Sequence, residues 1–165
     1  MHSWGEATFN PRSVALIGAS EKAGKLGQLL MRNLLEGYPG TLLPINPGEG
    51  EIMGHKAYRR VQDAPGPVDL AVIALPPEAC VAAMRDCAEA GARVALVLSG
   101  GFAEVGAAGS ALQAELVAAA QAGGVRVIGP NCFGLYNCNL GLNASMGLGL
   151  PPKGGSISLL TQSTA

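Results

Sequence analysis

With 165 residues, 48% of them apolar, the chain suits one domain of ordinary size with a sizeable buried core, which argues against disorder. Its formal net charge of -1 comes from 12 acids and 11 bases scattered along the sequence. That balance excludes the basic footprint of a nucleic-acid binder and leaves any anionic ligand to a local site.

Residues 13–17 (SVALI) are a short β-rich run that stops at Gly18, and Leu26, Leu29, Leu30 and Leu34 follow at helical spacing. The predicted unit is strand, glycine loop, helix. Residues 41–45 form a second apolar run ended by Asn46, Pro47 and Gly48, and a weak edge strand is expected at 56–59. Residues 69–75 (DLAVIAL) are continuously apolar after Asp69 and end at Pro76 and Pro77. A run buried on both faces is the pattern of a central parallel strand, and the prolines suit a helix start.

A helix over 78–90 then buries Val81, Met84 and Ala88, with Gly91 placed to cap it. The unit recurs as a strand at 94–98, a turn at Ser99, Gly100 and Gly101, a helix over 110–122, and a strand at 125–128. Strands alternating with helices of this length predict an α/β, Rossmann-like, doubly wound parallel sheet. Right-handed crossovers in two halves give the order 56–59, 41–45, 13–18, 69–75, 93–98, 125–128. The topological switch then lies between 13–18 and 69–75, and ligand is expected beyond their carboxyl ends. After Gly129 the chain reads as loop-rich, 141–152 as a connector, and 155–165 as a new strand and turn. The organisation expected is a domain over 1–145, with 146–165 a connector and the first strand of a truncated second domain.

The loop from Gly18 to Gly27 carries the first chemical signal. Gly18 permits the sharp turn, while Gly24 and Gly27 allow close approach of backbone to phosphate and of helix to sheet. The helix N-terminus adds N–H donors and partial positive charge, Ser20 a hydroxyl, and Lys22 or Lys25 mobile charge. The spacing G-x-S-x-x-x-G-x-x-G differs from the G-x-G-x-x-G of nicotinamide-binding domains. Those domains also place Asp or Glu at the end of the second strand, where this chain has Asn46 and Pro47. A carboxylate there would repel a phosphate on the adenosine ribose, whereas an amide tolerates it. Taken alone, the glycine loop is a weak signal, and Asn46–Pro47 is equally an ordinary turn.

Taken together, VALIGAS (14–20), PINP (44–47), VDLAVIALPPE (68–78), SGGFAEVG (99–106), IGPNCFGLYN (128–137) and GSISLLTQS (155–163) resemble the N-terminal CoA-binding domain of NDP-forming acyl-CoA synthetases, relatives of the succinyl-CoA synthetase α subunit. The resemblance covers essentially the whole chain. It implies that Gly18, Ser20, Lys22, Gly24, Lys25 and Gly27 hold the phosphates of coenzyme A, with Asn46 and Pro47 nearby. Pro76 would border the cleft, and Ser99, Gly100, Gly101, Phe102, Asn131 and Cys132 would line the path of the thiol end.

The resemblance also implies a ligase that makes acyl-CoA from acid, CoA and a nucleoside triphosphate. ATP, ADP and Mg are handled there by further domains or subunits, including an ATP-grasp domain. Its phosphate-carrying histidine lies in a second domain. Here His2 is terminal and His55 reads as a solvated loop residue, so no catalytic residue is assigned and the chain alone is expected to be inactive. Thr164 stands where the family has Gly, in the turn that would open the second domain.

Cys80, Cys87, Cys132 and Cys138 show neither a CxxC pair nor a Cys/His zinc spacing, so no metal site is assigned and the thiols read as structural. Glu104 reads first as an ordinary exposed Glu before a helix, with a capping or hydrogen-bonding role near the site as the alternative. No apolar run nears the ~20 residues that span a bilayer, and residues 1–10 lack the features of a leader. A soluble, cytoplasmic protein with CoA or acyl-CoA as partner is expected, and a homo-oligomer is compatible with the sequence. Two other readings stay open: a CoA-binding or sensing module fused to an acetyltransferase, and a nicotinamide-dependent oxidoreductase domain.

Overall fold

The apolar run 13–17 becomes a strand buried along its whole length, with Val14 and Leu16 facing one side of a sheet and Ala15 and Ile17 the other. The computed structural model describes residues 3–48, 50–149 and 152–161. In chain order its elements are α1 (Trp4–Phe9), β1 (Ser13–Ile17), α2 (Leu26–Gly37), β2 (Thr41–Ile45), β3 (Glu51–Ile52), β4 (His55–Lys56), β5 (Leu70–Ile73), α3 (Pro77–Glu89), β6 (Val94–Val97), α4 (Ala107–Ala122), β7 (Arg126–Ile128), β8 (Gly134–Asn137) and β9 (Leu142–Ser145).

Five strands pair in parallel in the order β2-β1-β5-β6-β7. The switch between β1 and β5 lies where the sequence puts it. One face packs Cys80, Val81, Met84 and Cys87 of α3 and Leu116 and Ala120 of α4 against Ala15, Ala71, Ile73, Ala95 and Val97. The other packs Leu30, Met31 and Leu34 of α2 against Val14, Leu16, Leu70, Val72, Val94 and Leu96. Helices thus cover both faces, as the unbroken apolar runs require.

Three expectations are corrected. The edge strand at 56–59 does not form: His55 and Lys56 pair antiparallel with Ile52 and Glu51, and only Tyr58 bridges β2, through its N–H to Pro44 O (2.9 Å) and its carbonyl to Asn46 N–H (2.9 Å). The connector read at 141–152 instead contains β9, whose four residues are all buried and pair with β8. Residues 155–161 form no strand and are exposed, while 162–165, including Thr164, lie outside the described residues, as does His2. An unexpected helix, α1, is capped by Ser3, whose hydroxyl accepts the Glu6 N–H at 3.2 Å.

The β8–β9 hairpin is seated on α2 by polar groups. Asn33, on the buried face of α2, donates to the carbonyls of Ser145 (2.9 Å) and Gly147 (2.8 Å), and the Ser145 hydroxyl donates to Asn143 Oδ1 at 2.7 Å. Satisfied in this way, Asn33, Asn143 and Ser145 can all be buried. Just before β5 the buried Asp69 carboxylate accepts the Arg12 N–H (3.0 Å) and Nε–H (3.2 Å), and Arg93 Nε lies 3.6 Å from its other oxygen. Among the described residues no helix is long and apolar enough to cross a membrane.

Backbone meets backbone where the first turn of α2 packs on the end of β1, and a Cβ on Gly27 would fall on the Gly18 carbonyl. Because backbone is the obstacle, Gly27→Ala should cost about 3 kcal/mol, or roughly 10 °C of melting temperature. Thermal denaturation followed by circular dichroism measures it; a change under about 3 °C would mean that helix and strand can move apart freely.

Candidate functional site

Five loops converge at the carboxyl edge of the sheet, and the chain chemistry of each explains its shape. After β1, Gly18 turns with φ +89°, and a side chain there would press on the Ala74 carbonyl and Leu75 of the β5 loop. The loop then runs through the buried Ser20, whose hydroxyl accepts the Lys22 N–H at 3.1 Å. Gly24 has φ +78° with open space around its Cα, and Lys22 and Lys25 are exposed on either side of it. Lys25 occupies the N-cap position of α2 and makes no side-chain cap, so the N-terminal end of the helix, with its partial positive charge, lies at this edge.

The loop after β2 is tied to the first one. Asn46 Nδ2 donates to Ala19 O (2.9 Å) while its Oδ1 accepts the Gly48 N–H (2.8 Å). Its side chain is therefore committed to holding two loops in register, and Pro47 follows at the surface. Beyond it, the β3–β4 turn reaches back, with the Met53 N–H donating to the Glu21 carboxylate, and Lys56 lies over the Tyr58 ring at 5.2 Å.

The other three loops form a second cluster. Pro76 precedes α3, with Pro77 as its first residue. The Ser99 hydroxyl donates to Leu75 O, and the Asn131 N–H donates to Ser99 O at 2.9 Å. Gly101, with φ +99°, leaves no room for a side chain against the Pro77 ring. The Glu104 carboxylate accepts the N–H groups of Gly101 and Phe102. Its own N–H and that of Gly101 hold the carboxyl below the usual carboxylate range.

All the residues singled out from the sequence thus sit at one edge of the sheet, but not all face outward. Phe102 is fully buried in the core, leaving only its backbone at the surface. Cys132 is half-buried and its thiol donates to Val97 O at 3.4 Å. Burial pushes its pKa up, and pushes Cys80 to about 11, so both thiols stay protonated at neutral pH and neither is an activated nucleophile. Sequence reasoning missed the contacts of Glu21 and Met53; no local pattern signals them, because they join residues 32 positions apart. His55 is exposed on β4, as expected of a solvated residue.

The arrangement offers backbone N–H donors, a hydroxyl and mobile lysines around glycine turns, a combination suited to a phosphate-bearing ligand. Among the described residues, no group of three or more His, Cys, Asp and Glu could hold a metal ion.

Comparison with known proteins agrees in fold and region. A family described as CoA binding domain matches residues 12–137. The chain is 42% identical to the acetate–CoA ligase (ADP-forming) I subunit alpha of Pyrococcus furiosus, over 97% of this chain and 36% of that protein. It is 33% identical to the 4-hydroxybutyrate–CoA ligase (ADP-forming) of Nitrosopumilus maritimus, over 95% and 23%. Among solved structures, the Ca. Korarchaeum cryptofilum dinucleotide forming acetyl-coenzyme A synthetase 1 with phosphate and ADP superposes with a TM-score of 0.83 at 42% identity. That match covers 89% of this chain and 31% of that one. The chain therefore spans about a third or less of the length of these relatives.

Since Asn46 bridges two loops with both ends of its amide, Asn46→Ala should remove about 1–2 kcal/mol, a fall of roughly 3–6 °C in melting temperature. Amide exchange of the glycine loop should accelerate with it. An unchanged melt and unchanged exchange would show that the bridge contributes nothing.

Proposed function

The chain belongs to the CoA-binding domain family, and we propose that the carboxyl edge of its sheet is where it holds CoA. The observation that carries the assignment is the end of β2, where Asn46 is hydrogen-bonded between the first two loops and positions 46 and 47 hold Asn and Pro in place of a carboxylate that would bind free ribose hydroxyls and repel a ribose phosphate.

In this reading the backbone from Gly18 to Ser20 and the first turn of α2 hold the pyrophosphate. Gly24 and Gly27 keep that surface open, and Lys22 and Lys25 supply charge. Asn46 and Pro47 border the adenosine. Pro76, Ser99, Gly100, Gly101, the backbone of Phe102, Asn131 and Cys132 line the route of the pantetheine arm to its thiol. We further propose that the domain spans 1–145, that 146–165 leads into a second, flavodoxin-like ligase domain, and that the parent protein is an NDP-forming acyl-CoA synthetase. There the chain would present CoA to groups carried by other domains, an ATP-grasp domain among them, which handle the nucleotide, Mg and phosphate. The ADP-forming ligases similar to this chain along nearly its whole length support that assignment.

The chain should bind CoA in preference to NAD. Dephospho-CoA should bind more weakly than CoA through loss of contact between the ribose phosphate and Lys22, Lys25 or Lys56. Calorimetry with the three ligands checks this; equal or tighter binding of NAD would reverse the assignment.

Gly24→Val probes the pyrophosphate contact directly. A branched side chain at φ +78° distorts the loop, and losing one or two charge-assisted hydrogen bonds of about 1.5–3 kcal/mol each means at least a tenfold loss of CoA affinity. Stability should fall less, because no atom crowds this position. Normal CoA binding by the variant would move the pyrophosphate elsewhere.

A further inference from the structure

Glu104 is an exposed carboxylate that makes no ion pair among the described residues. Its oxygens are instead directed at the backbone, one accepting the Gly101 N–H and the other the Phe102 N–H at 3.2 Å. An ionised acceptor makes these the stronger class of hydrogen bond. The turn they hold is the one that touches both neighbouring loops: Gly101 lies against the Pro77 ring, and the space beside the Gly100 Cα is closed by Glu104 Oε1 (3.0 Å) and Asn131 Oδ1 (3.2 Å) from where a Cβ would stand. Ser99 reaches the β5 loop through its hydroxyl and the β7 loop through its carbonyl. Phe102 anchors the turn in the core. With two adjacent glycines the turn has wide conformational freedom, and the two bonds to Glu104 restrict it.

We propose that Glu104 is a positioning residue for the pantetheine end of CoA: it fixes the 99–102 turn so that its backbone, with Pro76 and Asn131, forms a ready-made wall of the cleft. The inference rests on the placement of CoA at this edge. It assigns Glu104 no contact with the ligand and no part at the phosphate end, which belongs to the β1 and β2 loops. Preorganisation of this kind raises affinity by removing the ordering that binding would otherwise require.

The test is calorimetry of the full chain and of Glu104→Ala and Glu104→Gln with two ligands. These are CoA and adenosine 3′,5′-bisphosphate, which keeps the phosphate end and lacks pantetheine. E104A should bind CoA at least fivefold more weakly, bind the bisphosphate as the parent does, and melt within about 3 °C of it. E104Q keeps one acceptor oxygen and sets an amide N–H against the second donor, so its CoA affinity should fall between the two. Amide exchange at Gly101 and Phe102 should rise in the same order without ligand. Equal weakening of both ligands would make Glu104 a general support of the fold, and unchanged CoA affinity would remove it from the site; either overturns the proposal while leaving CoA at this edge. If the parent chain binds neither ligand, the placement of CoA fails first and the role of Glu104 falls with it.

Discussion

The contact between Gly27 and the Gly18 carbonyl sets the geometry on which the rest depends. With no side chain between them, the first turn of α2 sits directly on the end of β1. The helix axis, with its partial positive end, is therefore aimed across the edge of the sheet where the chain reverses from one half to the other. An alanine at position 27 would tilt the helix away and separate the dipole from the loop meant to share it. Here close packing and anion recognition place the same demand on one residue.

From that point the loops assemble in two groups. Asn46 links the β1 and β2 loops, while Ser99, Gly101 and Asn131 link those after β5, β6 and β7. Gly18 against Ala74 and Leu75 joins one group to the other across the switch point. Most of these ties end on carbonyls or N–H groups. The candidate site is thus shaped largely by main chain, and its side chains act mainly to hold that main chain still. Cys132 and Phe102 illustrate this, since both stand in the site by sequence position and yet turn their side chains inward.

The central strands and the glycine turns were legible in the sequence because each rests on a local rule: continuous apolar runs for strands buried on both faces, and Gly or Pro where the backbone must turn. What escaped follows from non-local or polar packing. Residues 134–137 and 142–145 read as loop because they are short segments rich in Gly, Asn and Ser with little β-branched or aromatic content, and the polar side chains at 143 and 145 point to a solvated face; in the structure both are buried, with Asn33, far away in sequence, bonded to the Ser145 carbonyl. Tyr58 pairs with β2 but its neighbours do not, since His55 and Lys56 are taken by β3. The helix at Trp4–Phe9 did carry a signal, Ser3 followed by Glu6, the spacing of a capped helix start. The site residues were found through glycine spacing and family motifs, whereas their inward or outward direction needed the three-dimensional contacts.

The seating of the hairpin on α2 also has a temporal side. Asn33 meets its partners across 112 and 114 residues, and Leu30 and Leu34 share a cluster with Leu142 and Ala144. As the chain emerges during synthesis, the apolar stripe of α2 is complete long before the residues that cover part of it exist. The last step of folding is then a docking of high contact order, slow compared with helix formation, and the nascent domain shows an uncovered greasy face in the interval. A released chain ending before residue 142 should therefore be a client for chaperones, and one carried past residue 147 should not.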